Sequence, residues 1–176
     1  GVDIAKAAVR LAARDYPCHD YAVASSRNLP VMTSSIDLGM CIFSPVNDSE
    51  VARAVRPNGY YLEVGPAAQH LWELKTALYE QPREHSLLRR AIPGGALLQE
   101  GECHYEKQLT QTELQAVLSA TPFAFRGHRE KREGLREQSD FVITLGFSWR
   151  LFRLAAERDT VASGAVLGAA LESTDL

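Results

Sequence analysis

Leu38-Gly39-Met40-Cys41-Ile42-Phe43 is followed by Ser44-Pro45-Val46-Asn47-Asp48-Ser49-Glu50-Val51-Ala52-Arg53-Ala54-Val55, by Arg56-Pro57-Asn58-Gly59, and then by Tyr60-Tyr61-Leu62-Glu63-Val64. The first and last runs are apolar and of strand length. Between them, the stretch from Pro45 to Glu50 supplies cap residues, and Val51, Ala52 and Val55 fall on one face of a helix. Arg56-Pro57-Asn58-Gly59 carries turn chemistry and is expected to close that helix. Strand, helix and strand at this spacing predict a parallel βαβ unit, and hence an α/β protein.

The pattern extends in both directions. Asp3 to Arg14 is rich in helix formers, with Ile4, Ala8, Leu11 and Ala12 sharing a face, and it ends before Pro17. Tyr21 to Ala24 predicts a short buried strand running into the polar loop Ser25-Ser26-Arg27-Asn28. Downstream, the spacing of Leu71, Leu74, Lys75 and Leu78 predicts a helix over 69–80. After Pro93-Gly94-Gly95 the order changes: a long strand over 96–109, a helix over 112–120 and a last apolar strand over 140–149, which suggests an antiparallel end. From Ala155 onward the run of Ala, Gly, Ser and Thr predicts a weak helix or a disordered tail, so the domain is expected over 1–153 and a low-complexity tail over 154–176.

With 176 residues, 45% of them hydrophobic and 23% charged, the chain has the make-up of one globular domain. It contains no run of about 18 apolar residues that could span a membrane and no signal-peptide pattern at its start, which predicts a cytoplasmic protein. Cys18, Cys41 and Cys103 are odd in number and far apart, so neither a disulfide framework nor a metal site is expected. A net charge of −3 removes any global electrostatic case for nucleic-acid binding and leaves only local patches.

In open α/β sheets ligands bind beyond the carboxyl ends of the strands. Asp3 has the position of an acidic residue that accepts hydrogen bonds from two ribose hydroxyls, although a helix cap would look the same. Ser25 and Ser26 could read the edge of an adenine ring, or form a plain polar turn. Ile42-Phe43-Ser44-Pro45 could floor a pocket for a planar base, or simply punctuate strand and helix. Arg126, His128, Arg129, Lys131, Arg132 and Arg136, preceded by Phe123 and Phe125, suit phosphate contact and base stacking, as they also suit a solvated helix of Arg and Glu pairs. His70 is either a capping residue or a ligand.

Gly1-Val2-Asp3-Ile4-Ala5-Lys6, Val23-Ala24-Ser25-Ser26-Arg27-Asn28-Leu29-Pro30, Ile42-Phe43-Ser44-Pro45 and Arg56-Pro57-Asn58-Gly59 resemble the layout of class I S-adenosylmethionine-dependent methyltransferases. Gly65-Pro66-Ala67-Ala68-Gln69-His70-Leu71-Trp72-Glu73-Leu74-Lys75 and Thr121-Pro122-Phe123-Ala124-Phe125-Arg126 resemble, more specifically, the bacterial 23S rRNA guanine-N1 methyltransferases, and the likeness runs from Gly1 to about Phe152.

The resemblance implies a Rossmann-like class I methyltransferase sheet with an antiparallel C-terminal hairpin. It implies S-adenosyl-L-methionine as cofactor and an unpaired guanine in a hairpin loop of 23S rRNA as substrate. Asp3 and Ile4 would hold the cofactor ribose, Ala24, Ser25 and Ser26 would surround its adenine, and Phe43 and His70 would stand beside the pocket. Ser44 and Pro45 are the catalytic candidates by position, while no residue declares itself as the proton acceptor. Arg126, Arg129, Lys131 and Arg132 are the RNA-binding candidates.

The family's four-cysteine zinc module and its glycine-rich cofactor loop have no counterpart here. The expectation is therefore a fragment lacking the family's first strand and first helix, whose open edges a homodimer would cover. Two alternatives stand beside it: a methyltransferase of the same fold acting on a small molecule, and a non-catalytic remnant without a working cofactor site.

Overall fold

The computed structural model describes residues 1–87, 91–124 and 129–156. The βαβ unit forms as its sequence predicts: β3 (Ile36–Ile42) runs parallel to β4 (Val55–Pro66), with α2 (Asp48–Ala54) crossing between them. Asn47 starts α2 by accepting hydrogen bonds from the backbone N–H groups of Ser49 and Glu50, at 3.0 and 3.2 Å, which satisfies two donors that the helix cannot.

The segment from Arg56 to Gly59 corrects the expectation of a turn outside the sheet. It lies within β4, where the register jumps from Ile36↔Val55 to Leu38↔Tyr60 and Asn58 takes a left-handed φ of 61°. Its turn residues make a bulge, because the parallel ladder resumes at Tyr60 and holds them in the strand.

Ahead of this unit, β1 (Val2–Asp3) and β2 (Ala22–Val23) pair in parallel around α1 (Lys6–Asp15) as a two-stranded sheet of their own. Beyond it come α3 (Trp72–Leu78), β5 (Gly95–Leu109), α4 (Gln111–Ala120), α5 (Arg129–Arg136) and β6 (Phe141–Leu154). Strand β6 lies between β4 and β5 and is antiparallel to both, giving the order β3-β4-β6-β5. The α/β sheet with an antiparallel C-terminal hairpin is thus present. Helix α3 is shorter than expected, since Leu71 before it is left-handed (φ 54°). The tail from Glu157 to Leu176 lies outside the described residues.

Side chains alternate across a strand, so Ile143 and Phe152 of β6 point to opposite faces and anchor two cores. On one face Ile143 and Leu109 pack with Leu74 and Leu78 of α3, Leu114 and Leu118 of α4 and Leu135 of α5. On the other, Phe152 packs with Val51, Val55, Tyr61 and Ile92. Leu71, Leu74, Lys75 and Leu78, the periodic set of α3, are all buried. The periodic set of the first helix is not: Ile4 is 75% and Leu11 51% exposed, and α1 buries no residue. Leu38, Met40 and Ile42 project together from β3 and are also exposed.

Candidate active site

The sequence-predicted residues fall into two groups at the carboxyl ends of parallel strands. The first surrounds the ends of β1 and β2. Asp3 Oδ1 accepts a hydrogen bond of 2.7 Å from the Ala5 N–H, and the Ala24 N–H donates to the Asp3 carbonyl at 3.1 Å, tying the two loop starts together. Ser25 Oγ accepts from the Arg27 N–H and its carbonyl from the Asn28 N–H, which makes 25–28 a turn closed by its own serine. Asp3 is exposed, and its second carboxylate oxygen makes no hydrogen bond. With Oδ1 taken by the Ala5 N–H, Oδ2 is the carboxylate oxygen that Asp3 leaves to a ligand's hydroxyl among the described residues.

The second group stands at the ends of β3 and β4. Phe43, on a left-handed backbone (φ 50°), packs on His70, with ring centroids 5.2 Å apart. Phe147 of β6 packs against both rings, at 5.8 Å from Phe43 and 5.5 Å from His70, while Tyr105 of β5 stacks on Phe147 at 6.0 Å. His85, from the loop after α3, lies 6.0 Å from His70. Phe43 and Tyr105 remain 46% and 54% exposed, so this aromatic surface is open to a planar partner. Ser44 and Pro45 follow it and are exposed. Sequence reasoning missed Phe147, Tyr105 and His85: only the antiparallel pairing of β4, β5 and β6 carries the first two to this end, and no local pattern marks them.

Burial pushes the His70 imidazole below its ordinary range; a hydrogen bond to the Gly146 backbone opposes this, and the nearby His85 and Lys75 reinforce it. Burial likewise lowers His85, with Lys75 adding to the effect. Lys75 is itself lowered by burial, and its Nζ donates to the Arg83 carbonyl at 2.7 Å, pinning the loop that carries His85. For Glu73, burial pulls upward, but hydrogen bonds from the Thr144 N–H (2.7 Å) and hydroxyl (2.6 Å) outweigh it and leave the carboxyl lowered. Those bonds fasten α3 to β6 and so fix where His70 stands.

Of the cationic segment, Arg126 lies outside the described residues. Arg129 is bridged to Glu133 at 2.8 Å on α5, and Lys131 is exposed beside it, while Arg132 is half-buried. The α5 helix is held to α4 by Gln111 and Gln115, which both donate to the Arg136 carbonyl at 3.0 Å. Among the described residues no group of three or more His, Cys, Asp or Glu could hold a metal ion, and no helix is long and apolar enough to cross a membrane.

No family model matches the chain. It is, however, 27% identical over 150 residues to YxjB of Bacillus subtilis strain 168, provisionally named a 23S rRNA guanine-N1 methyltransferase, covering 82% of this chain and 53% of YxjB. It is 30% identical over 133 residues to a protein of Micromonospora griseorubida with the same provisional name, covering 70% of this chain and 44% of that one. A 78-residue match reaches 40% identity with the 23S rRNA (guanine(748)-N1)-methyltransferase of Streptomyces fradiae, over 44% of this chain and 28% of that one. Over these stretches the chain is a homologue of proteins named as 23S rRNA guanine-N1 methyltransferases.

It spans about half the length of the first of these relatives and less of the others. Solved structures share the fold: a protein of Bacillus halodurans C-125 provisionally named a methyltransferase superposes with a TM-score of 0.51 at 12% identity, covering 88% of this chain and 81% of the other. The YcgJ protein of Bacillus subtilis does so with a TM-score of 0.53 at 17% identity and the same coverage. Asp3, Ser25, Phe43, Ser44 and His70, singled out from the sequence, stand at or just beyond the carboxyl ends of β1 to β4.

Proposed function

We propose that this chain carries out S-adenosylmethionine-dependent methyl transfer to N1 of an unpaired guanine in 23S rRNA, in the cytoplasm. The observation that carries the reading is the open aromatic surface of Phe43, His70, Phe147 and Tyr105 at the carboxyl ends of β3 and β4, in a chain of this ancestry. Exposed aromatic rings accept an extruded base by stacking, worth about 1–3 kcal/mol per base. Because N1 lies on the Watson–Crick edge, only an unpaired or flipped guanine presents it, and a hairpin loop meets that need.

The cofactor, when bound, supplies an electrophilic methyl group on a sulfonium sulfur. Asp3, with Ile4 beside it, would hold the ribose by accepting from its hydroxyls, and Ala24, Ser25 and Ser26 would enclose the adenine. Phe43 stacks on the guanine, while Ser44 and Pro45 shape the approach to N1, so that positioning does most of the work. Arg129, Lys131 and Arg132, with Arg126, hold RNA phosphates.

Calorimetric titration of S-adenosylmethionine into the 176-residue chain, paired with Asp3→Ala, tests the cofactor half. Binding that the variant loses supports it, and no binding by either protein sinks it. Binding of an rRNA hairpin fragment should weaken as salt rises, with a shallower slope for Lys131→Ala. Affinity that ignores salt would point instead to a small-molecule acceptor.

A further inference from the structure

Guanine presents an N–H donor at N1, whereas adenine presents a lone pair there. A site that methylates guanine N1 therefore needs an unprotonated acceptor facing that position, and the same acceptor must take the proton as the new bond forms. Among the described residues, two imidazoles beside the aromatic surface have that character. His70 packs between the Phe43 and Phe147 rings, and among the described residues its buried Nδ1 has no hydrogen-bond partner. His85 is held by its backbone N–H, which donates to the Ala68 carbonyl at 2.9 Å, and among the described residues its buried Nε2 likewise has no partner. A buried imidazole nitrogen with no donor opposite it is costly unless something arrives to satisfy it.

We infer that His70 is the group that recognises guanine N1–H and accepts its proton, with His85 as the positioning residue behind it. This rests on the proposed rRNA methyl transfer. The base enters beside Phe43, and reaching the buried Nδ1 requires the half-exposed Phe43 ring that stands on His70 to turn aside and stack on the guanine. In the step itself the N1–C bond forms as the S–C bond breaks and its electron pair returns to sulfur. The N1 proton passes to the free nitrogen of His70, which leaves as imidazolium.

The surroundings favour a neutral acceptor. Lys75 and His85 face His70 from α3 and its following loop and disfavour a second positive charge, while Glu84 offsets Lys75. From β5, His104 lies beside Gly146 and is paired with Glu102 at 3.0 Å, and the Tyr105 phenol lies across Phe147. From just beyond β3, the Phe43 ring packs on His70.

The test is single-turnover methyl transfer to an rRNA hairpin as a function of pH, comparing the wild-type chain with His70→Gln, which keeps size and hydrogen bonding but takes no proton. The expected result is a loss on the order of 10²–10⁴-fold at saturating RNA, with a rate that keeps climbing with pH where the wild type levels off. A variant with the wild-type rate and pH profile overturns the inference while leaving the proposed function intact. A wild-type chain that transfers no methyl group to RNA sinks the proposed function and the inference with it. A second measurement needs no variant: the His70 ring nitrogen-15 resonances should move when the hairpin is added, and stay still when adenine replaces its unpaired guanine. Equal response to both bases overturns the role in recognition.

Discussion

Asp3, Phe43 and His70 are legible in the sequence because each stands at or shortly after a strand end, where chain order alone predicts a ligand-facing position. What the sequence does not carry is the protonation of His70 and of His85 beside it. His70 and His85 are both depressed by burial, so the unfolded chain binds protons that the folded one refuses. Their contribution to stability is fully present above the unfolded value of about 6.5 and is lost as pH falls below it, until the depressed folded values are reached. Thermal denaturation should show a falling midpoint across that window, and the fall should shrink in His70→Gln. Glu50 and Glu113 act lower on the scale. Glu50 is lowered to about 2, first by Arg53 and then by the Leu29 N–H, and Glu113 to about 2, first by the Thr110 N–H and then by Lys107. Their contribution is present above the ordinary value of 4.5 and disappears as pH falls from there to about 2.

Among the elements, the βαβ unit depends on the bulge that opens β4. A Cβ placed on Gly59 would lie 2.8 Å from Val55 Cγ1 and 2.9 Å from the Arg56 carbonyl oxygen, so only glycine fits where the chain turns into the ladder. Gly59→Ala should destabilise by about 1–3 kcal/mol in chemical denaturation, the usual cost of overpacking. The helix facing the other core makes a second test. Leu74 is fully buried among Leu71, Leu78, Leu114 and Ile143, and Leu74→Ala should cost about 2–5 kcal/mol. The periodicity of α3 announced this burial in advance, since its apolar face points wherever the sheet is. The turn residues Pro57, Asn58 and Gly59 announced a change of direction without saying that it would occur inside a strand; that depended on which partner strand resumed pairing beyond them.

Taken whole, the chain is unevenly secured. The β1-α1-β2 unit buries none of α1, whereas the sheet of β3, β4, β6 and β5 rests on two cores. Backbone amides in residues 6–23 should therefore exchange with solvent much faster than those of β4 and β6, measured by hydrogen-exchange mass spectrometry on the same sample. Equal protection would mean that the exposed face of Ile4 and Leu11 is covered in solution. By itself the sequence determined the α/β class, the parallel unit, the antiparallel end and the residues at the strand termini, because periodicity, caps and turn residues act over a few neighbours. The tertiary structure alone decided that Phe147, Tyr105 and His85 join Phe43 and His70, and that two imidazoles are left with unpartnered nitrogens. Pairing across β4, β6 and β5 joins residues as far apart as Phe43 and Phe147, and burial follows from that packing rather than from any local pattern.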